Sequence, residues 1–254
     1  MKFSQLKKLT AMVMVTGLVV VGGTGLIVSA DSSTSGGSAE FVPNNDPGTP
    51  IDPTDPGQEN NGGGDQTGNG GELKIVVRPT LVFGEQKVSA ADKTYYASSL
   101  KVNDNHHGGI WEPRYVQVTD DTGEFKGWHL TVAQLNQFTG VTSGKQLDGA
   151  KITFNNGRKS SMFTDTSTAN FLGVTSQPTV LLQNIGATYK YTVMDAKAGS
   201  GNGSFVTRFG DQETQYIDGT TENHHNISLF VKGGTAGKEV YNTTLSWNLE
   251  NTPK

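Results

Sequence analysis

The chain has 254 residues, 33 of them glycine, with no cysteine and a formal net charge of −4. Without cysteine it can form no disulfide, cannot be acylated as a lipoprotein and has no thiol nucleophile. No basic stripe runs along the sequence, so nucleic acid is not expected as a partner.

The first residues, Met1 to Lys8, carry three lysines and no acid, and an apolar stretch follows from Leu9 to Val28. Val28-Ser29-Ala30 then offers the small residues a signal peptidase reads. Residues 1–30 are read as a secretory signal peptide, leaving no stable membrane insertion after cleavage. The competing reading is an uncleaved anchor, because the run approaches the roughly 20 residues that span a bilayer. Gly17, Gly22, Gly23 and Gly25 favour cleavage.

Residues 31–72 hold eight acids and no Lys or Arg, in Ser-, Gly-, Pro- and Asn-rich sequence. Such composition buries too little apolar surface to offset ordering entropy. It predicts a disordered acidic linker, with locally extended Pro segments. Residues 73–254 contain 17 basic and 16 acidic side chains, so attraction to an anionic polymer does not follow from net charge.

Strand-like segments recur from Leu73 onward. They are Leu73–Val77, Tyr115–Thr119, Trp128–Val132, Lys151–Phe154, Val180–Gln183, Thr188–Met194, Phe205–Phe209, Ile227–Val231 and Thr244–Leu249. Turn-forming runs such as Asn155-Asn156-Gly157 and Lys232-Gly233-Gly234 separate them. One short helix is expected over Val132–Phe138. The pattern predicts an all-β fold, an antiparallel β-sandwich-like module with one core or two small β-subunits.

The last of these segments alternates cleanly. Tyr241, Thr243, Leu245, Trp247 and Leu249 share one face, with Asn242, Thr244, Ser246, Asn248 and Glu250 opposite. A second Trp-x-Leu lies upstream at Trp128-His129-Leu130. Together with Asp120-Asp121, Gly127, the run Leu147–Phe154 and the terminal Pro253, these motifs resemble the WxL domain family of surface proteins in low-GC Gram-positive bacteria. The resemblance covers roughly 73–254. It implies non-covalent attachment to the cell wall, with peptidoglycan as the ligand class. It also implies surface-protein partners, including a membrane-anchored companion.

Two readings of the tryptophans are open. Their indoles are platforms for sugar C–H faces, or they fill the core of a small sandwich. On the core reading, polar-face residues such as His129 and Asn248 meet the ligand. The binding candidates are accordingly Trp128, His129, Leu130, Tyr241, Leu245, Trp247, Asn248 and Leu249.

Other constellations read as structure. His106-His107 and His224-His225 sit in Asn-rich contexts and read as solvated loops, so no metal is expected. Trp111-Glu112-Pro113-Arg114 reads as a loop anchor or an exposed wedge. Gly199-Ser200-Gly201-Asn202-Gly203-Ser204 reads as a flexible turn, not a nucleophile elbow. Asp120-Asp121-Thr122-Gly123 reads as a hairpin turn. No catalytic residue and no cofactor is expected. The C-terminal residues 250–254 show no sorting motif, so self-anchoring is not expected and the destination is the cell wall or cell surface. Two alternatives to wall binding stand: a structural subunit docking on a membrane-anchored partner, and a host-matrix adhesin.

Overall fold

A computed structural model describes residues 33–60, 65–101, 111–211 and 226–253, without the side chains of Lys101 and Trp111. The signal peptide, both histidine pairs and the Trp111 side chain lie outside that set. The chain divides into two compact units, Met1–Glu40 and Phe41–Lys254. Of the first, residues 33–40 are exposed and without regular structure.

The second unit is all-β. Its strands are β1 (Leu73–Val77), β2 (Lys93–Tyr96), β3 (Leu100–Lys101), β4 (Trp111–Glu112), β5 (Tyr115–Asp120), β6 (Trp128–Gln134), β7 (Thr139–Gly140) and β8 (Lys151–Asn155). Then come β9 (Gly157–Ser161), a four-residue helix α1 (Ala169–Leu172), β10 (Val174–Ser176), β11 (Thr179–Leu182) and β12 (Tyr191–Ala196). The chain closes with β13 (Gly203–Phe209), β14 (Ile227–Val231), β15 (Tyr241–Asn242) and β16 (Leu245–Glu250).

Three four-stranded antiparallel sheets form, in the orders β1-β5-β13-β9, β10-β12-β6-β16 and β11-β8-β14-β2. They converge on one core through aromatic side chains. Trp128 of the second sheet meets Phe205 of the first at 6.3 Å between ring centroids. Trp247 of the second meets Phe154 of the third at 6.0 Å, edge to face. Phe154 in turn meets Phe209 of the first at 4.9 Å. Such pairs add to the area term, which for a buried Trp covers about 150–250 Å².

Every strand expected from the sequence is present, with ends shifted by at most three residues. The sequence hides the two-residue strands β3, β4, β7 and β15, and also β2, β9 and β10, which are edge strands rich in Lys, Arg, Ser and Thr. Edges keep such residues because they face water and discourage further pairing.

Three expectations are corrected. Val132–Phe138 is not a helix: β6 runs on to Gln134, because Val132 pairs with both Tyr191 and Trp247 and Gln134 pairs with Leu245. Ladder bonds on both sides outweigh local helix propensity. Asp120–Gly123 is not a hairpin turn, since β5 and β6 belong to different sheets. There the Asp120 carboxylate accepts from the Thr122 amide at 3.0 Å and its hydroxyl at 2.7 Å, and turns the chain between sheets.

The third correction is the linker. From Asn44 the chain packs on the outer face of the first sheet. The Gln117 carboxamide accepts from the Ile51 amide at 2.9 Å and donates to the Thr49 carbonyl at 3.0 Å. Ile51, only 5% exposed, joins Val76, Val77, Leu100, Tyr115 and Val206 in a second apolar cluster. The buried Lys74 ammonium donates to the carbonyls of Asn44 at 3.4 Å and Asp46 at 2.9 Å, and pairs with Asp121 at 2.8 Å. Arg114 pairs with Asp65 at 2.6 Å. Asn60 donates to the Glu112 carboxylate at 2.6 Å. Burial, with the charges of Glu112, Asp52 and Asp65 nearby, pushes the Tyr115 hydroxyl well above the usual phenol range.

Ile51→Ala should therefore lower unfolding free energy by about 2–4 kcal/mol in a urea titration. An unchanged midpoint would mean that residues 49–60 are a tether after all.

Candidate functional site

The two Trp-x-Leu motifs, 119 positions apart in sequence, fall on neighbouring strands. In the β6–β16 ladder Trp247 stands opposite Val132, Leu249 opposite Leu130 and Glu250 opposite His129. Cross-strand partners share a face. Trp128, Leu130, Val132, Leu245, Trp247 and Leu249 therefore all point to the core side, where all six pack in the main cluster.

Trp128 has 0% exposure, so of the two readings its place is the core. Its indole N–H donates to the Gly201 carbonyl at 2.9 Å. The surrounding glycines are not a flexible turn. Gly201 has φ of +88°, and a Cβ there would stand 2.6 Å from the Trp128 indole nitrogen. Gly127 has φ of +80°, and a Cβ there would meet the Ala196 carbonyl at 2.5 Å. Both positions need a left-handed backbone and close approach, which only glycine gives cheaply.

Trp247 differs. It is half-buried, and with Tyr241 and Leu245 it lines a cleft. One hollow of about 290 Å³ lies between these residues and the irregular segment Arg78–Phe83, with Phe138 and Ile152 at its base. A second, of about 240 Å³, adjoins it through the shared residues Phe83, Phe138 and Tyr241. Tyr95, Gln86, Lys87 and Glu239 line this second part. The cleft opens beside β16 and β2, the outer strands of their sheets.

Glu239 fixes the rim. Its carboxylate accepts from the amides of Thr142 and Ser143, each at 3.0 Å, and from the Ser143 hydroxyl at 2.5 Å. These bonds, the Ser143 hydroxyl foremost, hold its carboxyl below the usual carboxylate range. The Tyr241 hydroxyl also bonds Glu239 and accepts from the Gly237 amide at 2.7 Å. The ring is thereby oriented along the cleft wall.

His129 and Asn248 lie on the opposite face of the same sheet, away from the cleft. The His129 ring lies 3.1 Å from the Thr192 hydroxyl. Asn248 donates to Glu250 at 2.7 Å, and Lys190 pairs with Glu250 at 2.8 Å. The Lys190 hydrogen bond and charge, then Asn248 and His129, lower the Glu250 carboxyl.

The structure thus separates the sequence candidates. Trp128 and Leu130 are interior; Leu249 packs partly buried against the core. Tyr241, Leu245 and Trp247 line a cleft, and His129 and Asn248 face outward. The sequence did not single out Arg78, Phe83 and Phe138. The available signal was the spacing of Leu81 and Phe83, two residues apart with exposed Val82 between. Among the described residues, no group of three or more His, Asp or Glu is arranged to hold a metal ion. Among them, too, no helix is long and apolar enough to cross a membrane.

A family model described as WxL domain, surface cell wall-binding, matches residues 28–253. No curated protein and no solved structure matches the chain.

Two outcomes test this geometry. Trp128→Ala should cost about 3–5 kcal/mol of stability. With Trp111 and Trp247 changed to Phe, Trp128 emission should be blue-shifted and resist acrylamide. Trp247, isolated by Trp111→Phe and Trp128→Phe, should be quenched; equal quenching of both would refute the assignment. The second outcome concerns pH. The Glu239 clamp is complete above the ordinary carboxylate value of 4.5 and is lost as pH falls through the lower folded value. Amide resonances of Thr142 and Ser143 should shift with a midpoint below 4.5, and Glu239→Gln should remove that transition.

Proposed function

Because the chain belongs to the WxL family of surface cell wall-binding domains, we propose that it is exported and held non-covalently on the Gram-positive wall by peptidoglycan. The observation that carries this reading is the cleft, where Trp247 and Tyr241 of the distal motif are half-buried against open space. A ligand site is concave and sets aromatic walls beside a few fixed polar groups, as Trp247 and Tyr241 stand here beside Asn242, Thr244 and Glu239. Export rests on the basic start, the apolar stretch and the small-residue exit of residues 1–30. Binding of this kind needs no catalytic group and no cofactor.

On this reading the motif divides its labour. Trp128 and Leu130 build the core that holds β6, and β6 fixes the register of β16. β16 then presents Trp247 to the cleft. The near balance of charge in 73–254 makes the attachment shape- and contact-driven, with weak dependence on salt.

A second reading is favoured by one observation: β16 is the outer strand of its sheet. An outer strand is a template for a strand from another chain. On that reading the chain is a subunit docked on a surface protein, such as a membrane-anchored companion.

Sedimentation with purified peptidoglycan, in parallel with capture from a surface-protein extract, separates the two. Wall binding expects co-sedimentation that Trp247→Ala weakens and His129→Ala leaves unchanged. Retention by protein partners alone, with none on peptidoglycan, would sink the proposal.

A further inference from the structure

The cleft discriminates between the two chemistries that a wall polymer offers. Resting on the wall-binding reading above, we infer that it takes the glycan strand, as uncharged N-acetylated sugar rings, and not the charged stem peptide. Between the Arg78 end and the Lys87 end, the shared middle of the cleft is Phe83, Phe138 and Tyr241. Trp247, Leu245 and Ile152 extend the uncharged floor toward Arg78. Glu239 is the acid on the wall, and its oxygens already accept from Thr142 and Ser143.

A charged peptide group seated on the shared aromatic middle would lose hydration, with Arg78 and Lys87 at the two ends of the cleft and the Glu239 carboxylate already bonded to Thr142 and Ser143, which is costly. A pyranose ring differs. Its C–H faces lie flat on aromatic rings, and its hydroxyls and acetamide reach a polar rim. Asn242, on β15, and Thr244, just before β16, are exposed and edge the cleft, whereas the Thr243 hydroxyl donates to the Asn136 carbonyl. The two adjoining hollows, of about 240 and 290 Å³, suit a ligand that continues from one into the other. Glycan is such a linear chain, with its stem peptides projecting outward over the rim.

The probe is chitotetraose, an uncharged chain of N-acetylated sugars, titrated into the full chain by calorimetry. Glycan freed of stem peptides by an amidase, which leaves a free lactyl carboxylate on alternate sugars where the stem peptides projected, and intact sacculi, complete the series. The inference expects binding to all three. Tyr241→Phe should keep it, and Tyr241→Ala should weaken it tenfold or more while thermal unfolding shows the variant folded. If Tyr241→Ala does not fold, chitotetraose protection of Trp247 from acrylamide in the Trp111→Phe, Trp128→Phe chain carries the same test. Binding to intact sacculi with none to chitotetraose or stripped glycan would overturn the glycan inference and leave wall binding standing. No binding to intact sacculi would remove the wall-binding reading itself.

Discussion

The whole architecture depends on burying one indole completely. Trp128 begins β6, a central strand of its sheet, and its ring reaches across to Phe205 of the neighbouring sheet. An indole carries a polar N–H, and burying it unsatisfied would cost about 1–3 kcal/mol. The Gly201 carbonyl removes that cost, and glycine at 201 lets the backbone come close enough to do so. With β6 held by Trp128, β12 and β16 are placed on either side of it. The position of Trp247, and hence of the cleft, follows from that register. One residue of slip would turn Trp247 to the outer face.

The two Trp-x-Leu motifs look alike in sequence and do different physical work. Each sets a Trp and a Leu on one face of a strand, and the strands are adjacent. The proximal strand has neighbours on both sides, so its motif is sealed. The distal strand has a neighbour on one side only, so its Trp meets open space at the sheet's margin. Position in the sheet, not residue type, separates a core tryptophan from a candidate contact surface. That distinction also makes room for irregular segment 78–83, which lies against the margin and completes the cleft.

The amino-terminal part of the unit shows a different constraint. The segment from Asn44 to Asn60 has few apolar residues, yet it is fixed to the outer face of the first sheet. Backbone groups do most of the fixing: the Gln117 side chain bonds an amide and a carbonyl two residues apart, as a neighbouring strand would. Ile51 adds one apolar anchor. The result covers a sheet face that would otherwise expose Tyr115 and Val206.

Local patterning suffices for the all-β class, for the nine strands that alternate or run apolar, and for the inward face of both motif strands. Each of these depends on local alternation, and period 2 survives in any tertiary setting. It also determined the likeness to a wall-binding family, because two motifs with their flanking residues are a local pattern. Long-range contacts settled what remains. They ended the expected helix at Val132–Phe138, because ladder bonds come from strands more than 50 residues away. They ordered the Gly- and Pro-rich segment, because Ile51 is paired to Gln117 across 66 positions. They made one tryptophan interior and the other a cleft wall, because burial is set by how many strands flank a strand. Composition within a window cannot register a partner that lies outside it.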